Sequence, residues 1–221
     1  MTSAVGLYNS LGLPEPWRPA SSDAEPTPLI IYGAGSAVGA FAVQLAQRSN
    51  IHPLICVAGR SAAYLETLID RSRGDVLIDY RAGDEAVVQG LTKALGGKKA
   101  LHALDAVSED GSHNNIVKVL GKGAKLTMVL PKKESDATPD GVEVSWTSVG
   151  SAHGTNKDFG FVFFRLFGRG LAEGWFKPHR HEVVPGGLGG VQTALENLKA
   201  GKASAVKYVF RIGETEGVAG K

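Results

Sequence analysis

The chain has 221 residues, of which 43% are hydrophobic and 21% charged, and this composition is ordinary for a folded globular domain. The formal net charge of +2 gives no electrostatic reason to expect nucleic acid or a membrane as a partner. The single cysteine, Cys56, excludes an intrachain disulfide framework and a cysteine-based zinc site, and it favours a reducing compartment, so we expect a cytoplasmic protein.

The predicted elements begin with a short helix over residues 1–14 and a proline-rich loop over residues 14–28. Short runs that are apolar on both faces then alternate with helical patterns. Strands are predicted at residues 28–33, 52–59, 75–80, 100–107, 124–130 and 142–150. Helices are predicted at about residues 37–48, 62–71, 84–95 and 112–120. This alternation is typical of a parallel sheet covered on both faces, and it predicts a doubly wound α/β fold.

The pattern changes after residue 150. A helix rich in phenylalanine is predicted over about residues 157–172, and it either lines an apolar substrate channel or covers the sheet. A strand, a glycine-rich turn, a helix near residues 188–200 and a closing strand near residues 206–211 follow. His179 and His181 lie on one side of that first strand, but no third ligand stands at a suitable spacing, so we predict no metal site.

A glycine-rich turn joins the first predicted strand to its helix. It contains Gly33, Gly35 and Gly39, so its spacing is G-x-G-x-x-x-G rather than G-x-G-x-x-G. Small residues let a backbone approach a pyrophosphate, and the following helix directs free amides and a positive dipole end at the negative charge. The turn therefore predicts a dinucleotide site, although a tight strand–helix turn without a ligand gives the same pattern.

The end of the second predicted strand reads Gly59, Arg60 and Ser61, about 20 residues after the turn. NAD sites usually place a carboxylate here for the ribose hydroxyls, and none is present. Arg60 can pair with a 2′-phosphate and Ser61 can donate a hydrogen bond to it, so the sequence favours NADP(H) over NAD. The alternative for Arg60 is a solvated loop arginine.

Several segments together resemble the medium-chain dehydrogenase/reductase superfamily, in the branch of zinc-free quinone oxidoreductases and fungal-type trans-enoyl reductases. The segments are "LIIYGAGSAVGAFAVQLA", "VLIDYR", "LDAVSEDGS", "KLTMVLP" and "GGLGGVQTALENLKAGKASAVKYVFRI". The resemblance covers nearly the whole chain, and it implies a Rossmann fold and a set of cofactor contacts. The implied contacts to the pyrophosphate are Ser36, Ala37, Val38 and Gly39, and those to the 2′-phosphate are Arg60 and Ser61. The implied contact to the adenosine is Tyr80, and those near the nicotinamide are Val107, Val129 and Leu130. A late cofactor contact is implied at Ser204 and Ala205.

Two tyrosines qualify this set of contacts. Tyr80 is also what an ordinary strand-end tyrosine would look like, and Tyr64 stands where many quinone reductases have a lysine, so that contact is not expected. The resemblance assigns no catalytic residue and no metal ligand within this chain.

The resemblance also implies a division of the chain. Family members begin with a separate catalytic domain, and this chain resembles only their cofactor-binding part. We expect a connecting helix and loop at 1–28, the dinucleotide-binding Rossmann domain at 29–172, and at 173–221 a segment that returns toward the absent catalytic domain. Apolar residues of that segment, Trp175, Phe176, Val183 and Val184, are then expected to be under-covered. Two copies are expected to pair through the sixth strand.

Two functional hypotheses follow. The first is the NADPH-binding part of an oxidoreductase that transfers hydride to an activated carbon–carbon double bond or a quinone, with the isolated chain inactive. The second is a non-catalytic NADPH-binding module. Both predict a small-molecule ligand rather than a nucleic acid or a membrane.

Overall fold

The structure, a computed structural model, describes residues 1–23, 25–109, 111–133 and 137–218. It divides into two compact units, Met1–Lys177 and Pro178–Lys221. Over the described ranges, no helix combines the length and the apolarity that crossing a membrane requires.

The first unit is built on a six-stranded sheet with the order β3-β2-β1-β4-β5-β6, in which every neighbouring pair is parallel. The strands are β1 Leu29–Tyr32, β2 Leu54–Ala58, β3 Val76–Asp79, β4 Ala100–Asp105, β5 Leu120–Met128 and β6 Glu143–Trp146. The order confirms the predicted doubly wound α/β fold. It reverses between β1 and β4, which is where ligands bind in open sheets of this kind. β6 is an edge strand of this sheet. Pairing of two copies through β6 stays a prediction.

The helices that cover the sheet follow the predicted alternation. They are α1 Thr2–Ala4, continued by a π-helical segment Val5–Ser10, then α2 Ala37–Arg48, α3 Ala62–Leu65, α4 Asp84–Ala94, α5 Ser112–Val117 and α6 Lys157–Glu173. The prediction of one helix over residues 62–71 was wrong, because α3 ends at Leu65. A new turn begins at Asp70, whose side chain accepts a hydrogen bond from the amide of Ser72 at 2.9 Å.

Two hydrophobic cores lie on opposite faces of the sheet. On one face α1, α2 and α6 pack together, and the fully buried Phe163 of α6 stacks on Tyr8 with ring centroids 5.2 Å apart. On the other face α4 contributes Val87 and Leu91, and α5 contributes Ile116. The buried side of α6 therefore belongs to the core on this face of the sheet, where it packs on Tyr8.

One apolar residue that was expected to be under-covered is buried in the first unit. Phe176 is buried, because it stacks on Phe167 at 4.9 Å and lies 5.2 Å from Phe41. The expectation that Phe176 is under-covered was therefore wrong. Phe161 and Phe164 on α6 are 63% and 61% exposed instead.

The second unit contains a parallel pair of strands, β7 His181–Val183 and β8 Lys207–Val209, and the helix α7 Val191–Lys199. Val184 is buried in this unit, because its amide bonds the carbonyl of Val209 and its side chain lies against Gly190, so it too was wrongly expected to be under-covered.

Candidate functional site

The glycine-rich turn between β1 and α2 is held by its neighbours on both sides. The amides of Gly33 and Ala34 both donate to the carbonyl of Val57 in β2, at 3.0 Å each. Gly33 has φ +75°, a conformation that favours glycine, and a Cβ there would collide with the side chain of Val107 after β4. The turn thus touches both strands that flank β1.

The first turn of α2 is pressed onto this glycine turn. Ser36 is the N-cap residue, and its Oγ accepts from the amide of Gly39 at 3.0 Å. A Cβ on Gly39 would lie 2.5 Å from the Cα of Ala34, so only glycine permits this approach. The positive end of a 12-residue helix, with the amides of Ala37 and Val38, is consequently set at the turn.

The end of β2 lies beside the same turn. A Cβ on Gly35 would stand 2.5 Å from the Cβ of Ser61 and would overlap its hydroxyl, so Ser61 is in contact with the turn. A Cβ on Gly59 would lie 2.7 Å from the ring of Tyr80, whose side chain is 49% exposed and follows β3 directly. Arg60, between these two contacts, is exposed.

A carboxylate that is not among the predicted site residues stands next to Tyr80. Asp79 closes β3 opposite Ala58 of β2, and Arg81 binds it through two nitrogens, with Nε–Oδ1 at 2.9 Å and Nη2–Oδ2 at 2.5 Å. The hydrogen bonds from Arg81 lower the pKa of Asp79 to about 2. The acid was missed because the spacing rule searches the end of the second strand, whereas Asp79 ends the third.

The other side of β1 carries a buried acid at the end of β4. Asp105 is fully buried, and its Oδ1 accepts from the amides of Val107 at 3.0 Å and Ser108 at 2.7 Å. Its Oδ2 accepts from the hydroxyl of Ser112 at 2.6 Å. Burial raises the pKa of Asp105, and these three donors oppose that shift. Asp105 was not among the predicted site residues, although an acid that closes the apolar run "ALHALD" is a signal for it.

The ends of β4 and β5 are tied to each other. The amide of Val129 donates to Ser108 Oγ at 3.0 Å and is 3.2 Å from the carbonyl oxygen of Asp105. The indole of Trp146 donates to the carbonyl of Val129 at 3.3 Å. Val107 and Val129 are half-buried here, and Leu130 is 42% exposed.

We call this region the carboxyl edge. It consists of residues 33–39, 59–61, 79–81, 105–108 and 129–130 at the ends of β1 to β5. All the predicted site residues of the first unit lie on it. Ser204 and Ala205 belong to the second unit, where both are half-buried before β8 and Ala205 has φ +49°.

The residues of the carboxyl edge fit a dinucleotide. Three glycines stand where a Cβ would collide with a neighbour, the positive end of α2 lies at the turn, and the edge spans the reversal of strand order. In residues 1–23, 25–109, 111–133 and 137–218, no group of three or more His, Cys, Asp or Glu is placed to hold a metal ion.

Comparisons with known proteins identify relatives for this arrangement, although no family model matches the chain. The chain is 49% identical over 186 residues to the trans-enoyl reductase fsr4 of Gibberella fujikuroi, across 84% of this chain and 55% of that protein. The crystal structure of the JamJ enoyl reductase in its apo form superposes with a TM-score of 0.70 at 13% identity, over 94% of this chain and 60% of the other. The quinone oxidoreductase of Pseudomonas syringae pv. Tomato DC3000 gives a TM-score of 0.63 at 19% identity, over 85% and 58%.

The two structural matches show a shared fold. The sequence match to fsr4 shows common ancestry over the aligned part, and the chain spans little more than half of that relative's length.

Proposed function

We propose, because this chain belongs to the medium-chain dehydrogenase/reductase superfamily, that it is the NADPH-binding part of an oxidoreductase. Its reaction class is hydride transfer to an activated carbon–carbon double bond, as the name of its 49% identical relative suggests, or to a quinone. The observation that carries the proposal is the contact between the glycine turn and Ser61, which joins a pyrophosphate cradle to a strand end without a carboxylate.

The adenosine half of the cofactor is assigned to the β1, β2 and β3 ends. The turn and the amides of Ala37 and Val38 would bind the pyrophosphate, and Arg60 with Ser61 would bind the 2′-phosphate. Asp79 would repel that phosphate, but its charge is paired with Arg81. The paired acid is therefore compatible with NADPH.

The nicotinamide half is assigned to the β4 and β5 ends. Bound NADPH would supply the hydride, and the protein would supply orientation and a dry surface. Val107, Val129 and Leu130 provide apolar groups for that surface. None of the residues assigned here is a proton donor to substrate, so we expect the isolated chain to bind NADPH without reducing an unsaturated thioester or a quinone.

A non-catalytic NADPH-binding module is the second candidate, and this same lack of an assigned proton donor favours it. The two candidates agree on cofactor binding and differ on turnover. Oxidation of NADPH by the chain in the presence of an unsaturated thioester or a quinone would exclude the second candidate.

The cofactor assignment is tested by calorimetric titration of the double variant Arg60→Asp, Ser61→Ala with NADPH and NADH. Loss of a charged phosphate contact should cost about 1.5–3 kcal/mol, or roughly 10- to 150-fold in affinity for NADPH, with little change for NADH. Arg73→Asp is the matched control, because Arg73 is an exposed arginine just before β3, at the opposite edge of the sheet, and the charge change is the same. Equal losses for both nucleotides would overturn the assignment of Arg60.

A further inference from the structure

We propose that Ser108 and Asp105 are positioning residues that fix the nicotinamide half of the carboxyl edge before any ligand binds. This inference rests on the proposed function, because it presumes that a nicotinamide nucleotide is the ligand. It goes beyond that function by assigning a role to two residues that are not themselves expected to touch the cofactor.

Asp105 holds the loop after β4 in one conformation. A buried carboxylate is costly unless donors satisfy it, and here two consecutive loop amides converge on Oδ1 while the Ser112 hydroxyl occupies Oδ2. The amide of Val107 is one of these donors, so the position of Val107 depends directly on Asp105.

Ser108 connects this loop to the next strand. Its hydroxyl donates to the carbonyl of Asp105 at 3.1 Å and accepts from the amide of Val129 at 3.0 Å. The residue is buried and has φ +59°, which is uncommon for any residue except glycine. A strained backbone conformation persists only where the surrounding contacts hold it, and here the two hydrogen bonds of the Ser108 hydroxyl do so. The Ser108 hydroxyl therefore adds a second acceptor for the Val129 amide, beside the carbonyl of Asp105 at 3.2 Å, and so ties the loop that carries Val107 to Val129.

The adenosine half is held by different bonds. Gly59, Ser61 and Tyr80 follow β2 and β3, and these strands lie on the opposite side of β1 from β4 and β5. None of the hydrogen bonds of Asp105 and Ser108 given above reaches those residues. Disturbing Ser108 should therefore weaken binding of the nicotinamide half and spare the adenosine half.

The test compares Ser108→Gly with wild type in titrations with NADPH and with 2′,5′-ADP, which lacks the nicotinamide half. Glycine tolerates the positive φ, so this variant removes the hydroxyl without adding backbone strain. We expect NADPH affinity to fall about tenfold and 2′,5′-ADP affinity to change less than twofold. Asn50→Gly is the matched control, because Asn50 also has φ +57° but lies between α2 and β2, away from the carboxyl edge, and neither affinity should change.

Amide hydrogen exchange of the ligand-free chain supplies a readout that needs no binding. The amides of Val107, Ser108 and Val129 should be protected in wild type, and those of Val107 and Val129 should exchange faster in Ser108→Gly. Equal weakening of both nucleotides, unchanged NADPH affinity, or unprotected wild-type amides would each overturn the inference. Protected amides in a wild-type chain that binds neither nucleotide would instead overturn the proposed function.

Discussion

Replacement of Gly35 by alanine tests the contact that brings the glycine turn to the end of β2. The added Cβ would stand 2.5 Å from Ser61 Cβ, but 4.0 Å from Ser61 Cα, which is an ordinary contact. Gly35 does not have a positive φ, so alanine meets no backbone penalty there. The clash is therefore with the Ser61 side chain alone, and removing that side chain should relieve it.

The magnitude follows from the distances. Carbon atoms in contact are normally about 3.5–4.0 Å apart, so the turn and Ser61 must separate by about 1 Å. Overpacking of this size costs about 1–3 kcal/mol. For a chain of 221 residues this lowers the Tm by about 2–12 °C. In the Ser61→Gly background Gly35→Ala should cost about 0.5 kcal/mol or less, which gives a coupling of about 0.5–3 kcal/mol between the two positions.

The assay is urea unfolding of the four proteins of this double-mutant cycle, followed by tryptophan fluorescence. The flexibility that Ser61→Gly adds to the unfolded chain is common to both backgrounds and cancels in the coupling. Gly168→Ala is the control, because Gly168 lies in α6 with open space around its Cβ position, and alanine there should stabilise the protein by about 0.5–1 kcal/mol. Additive free energies for Gly35→Ala and Ser61→Gly would refute the placement of Ser61 against the turn.

Two further predictions concern charges at the carboxyl edge. Arg81→Ala should weaken NADPH binding about two- to fivefold and NADH binding less, because it leaves the charge of Asp79 unpaired. Adding Asp79→Asn should restore the affinity for NADPH. An unchanged ratio of the NADPH and NADH affinities, measured by calorimetry, would contradict this prediction. Burial raises the folded-state pKa of Asp105 above its ordinary value of 3.8, so the stability linked to its protonated form is present below pH 3.8 and is lost as pH rises through the raised pKa. Urea unfolding across this range should therefore show Asp105→Asn gaining stability relative to wild type as pH rises, and a constant difference would show that Asp105 has no shifted pKa.

The sequence was sufficient for the centre of the sheet because β1 and β2 are short apolar runs between turn signals. In β1 and β2 every residue is buried, which is the property that the pattern detects. Helix ends were less predictable. α3 stops at Leu65, where the Thr67 hydroxyl donates to the carbonyl of Tyr64 at 2.7 Å and competes with the helix, and such local competition leaves little trace in hydrophobic periodicity.

The candidate site was likewise predictable only in part. The glycine turn could be found because its residues are contiguous and their spacing has a steric meaning. The bond between Ser108 and Val129 could not, because 21 residues separate the partners and nothing local announces the pairing. Phe176 was misjudged for a related reason, since one of the two rings that cover it, Phe41, lies on α2, far away in the chain.

The indole of Trp146, hydrogen-bonded to the carbonyl of Val129, gives the protein a built-in optical probe. A reduced nicotinamide absorbs light in the range where tryptophan emits, so a nucleotide seated beside Val129 would quench this residue by energy transfer. Occupancy could then be followed in real time without a label, and a Trp146→Phe variant would separate its signal from those of Trp17 and Trp175.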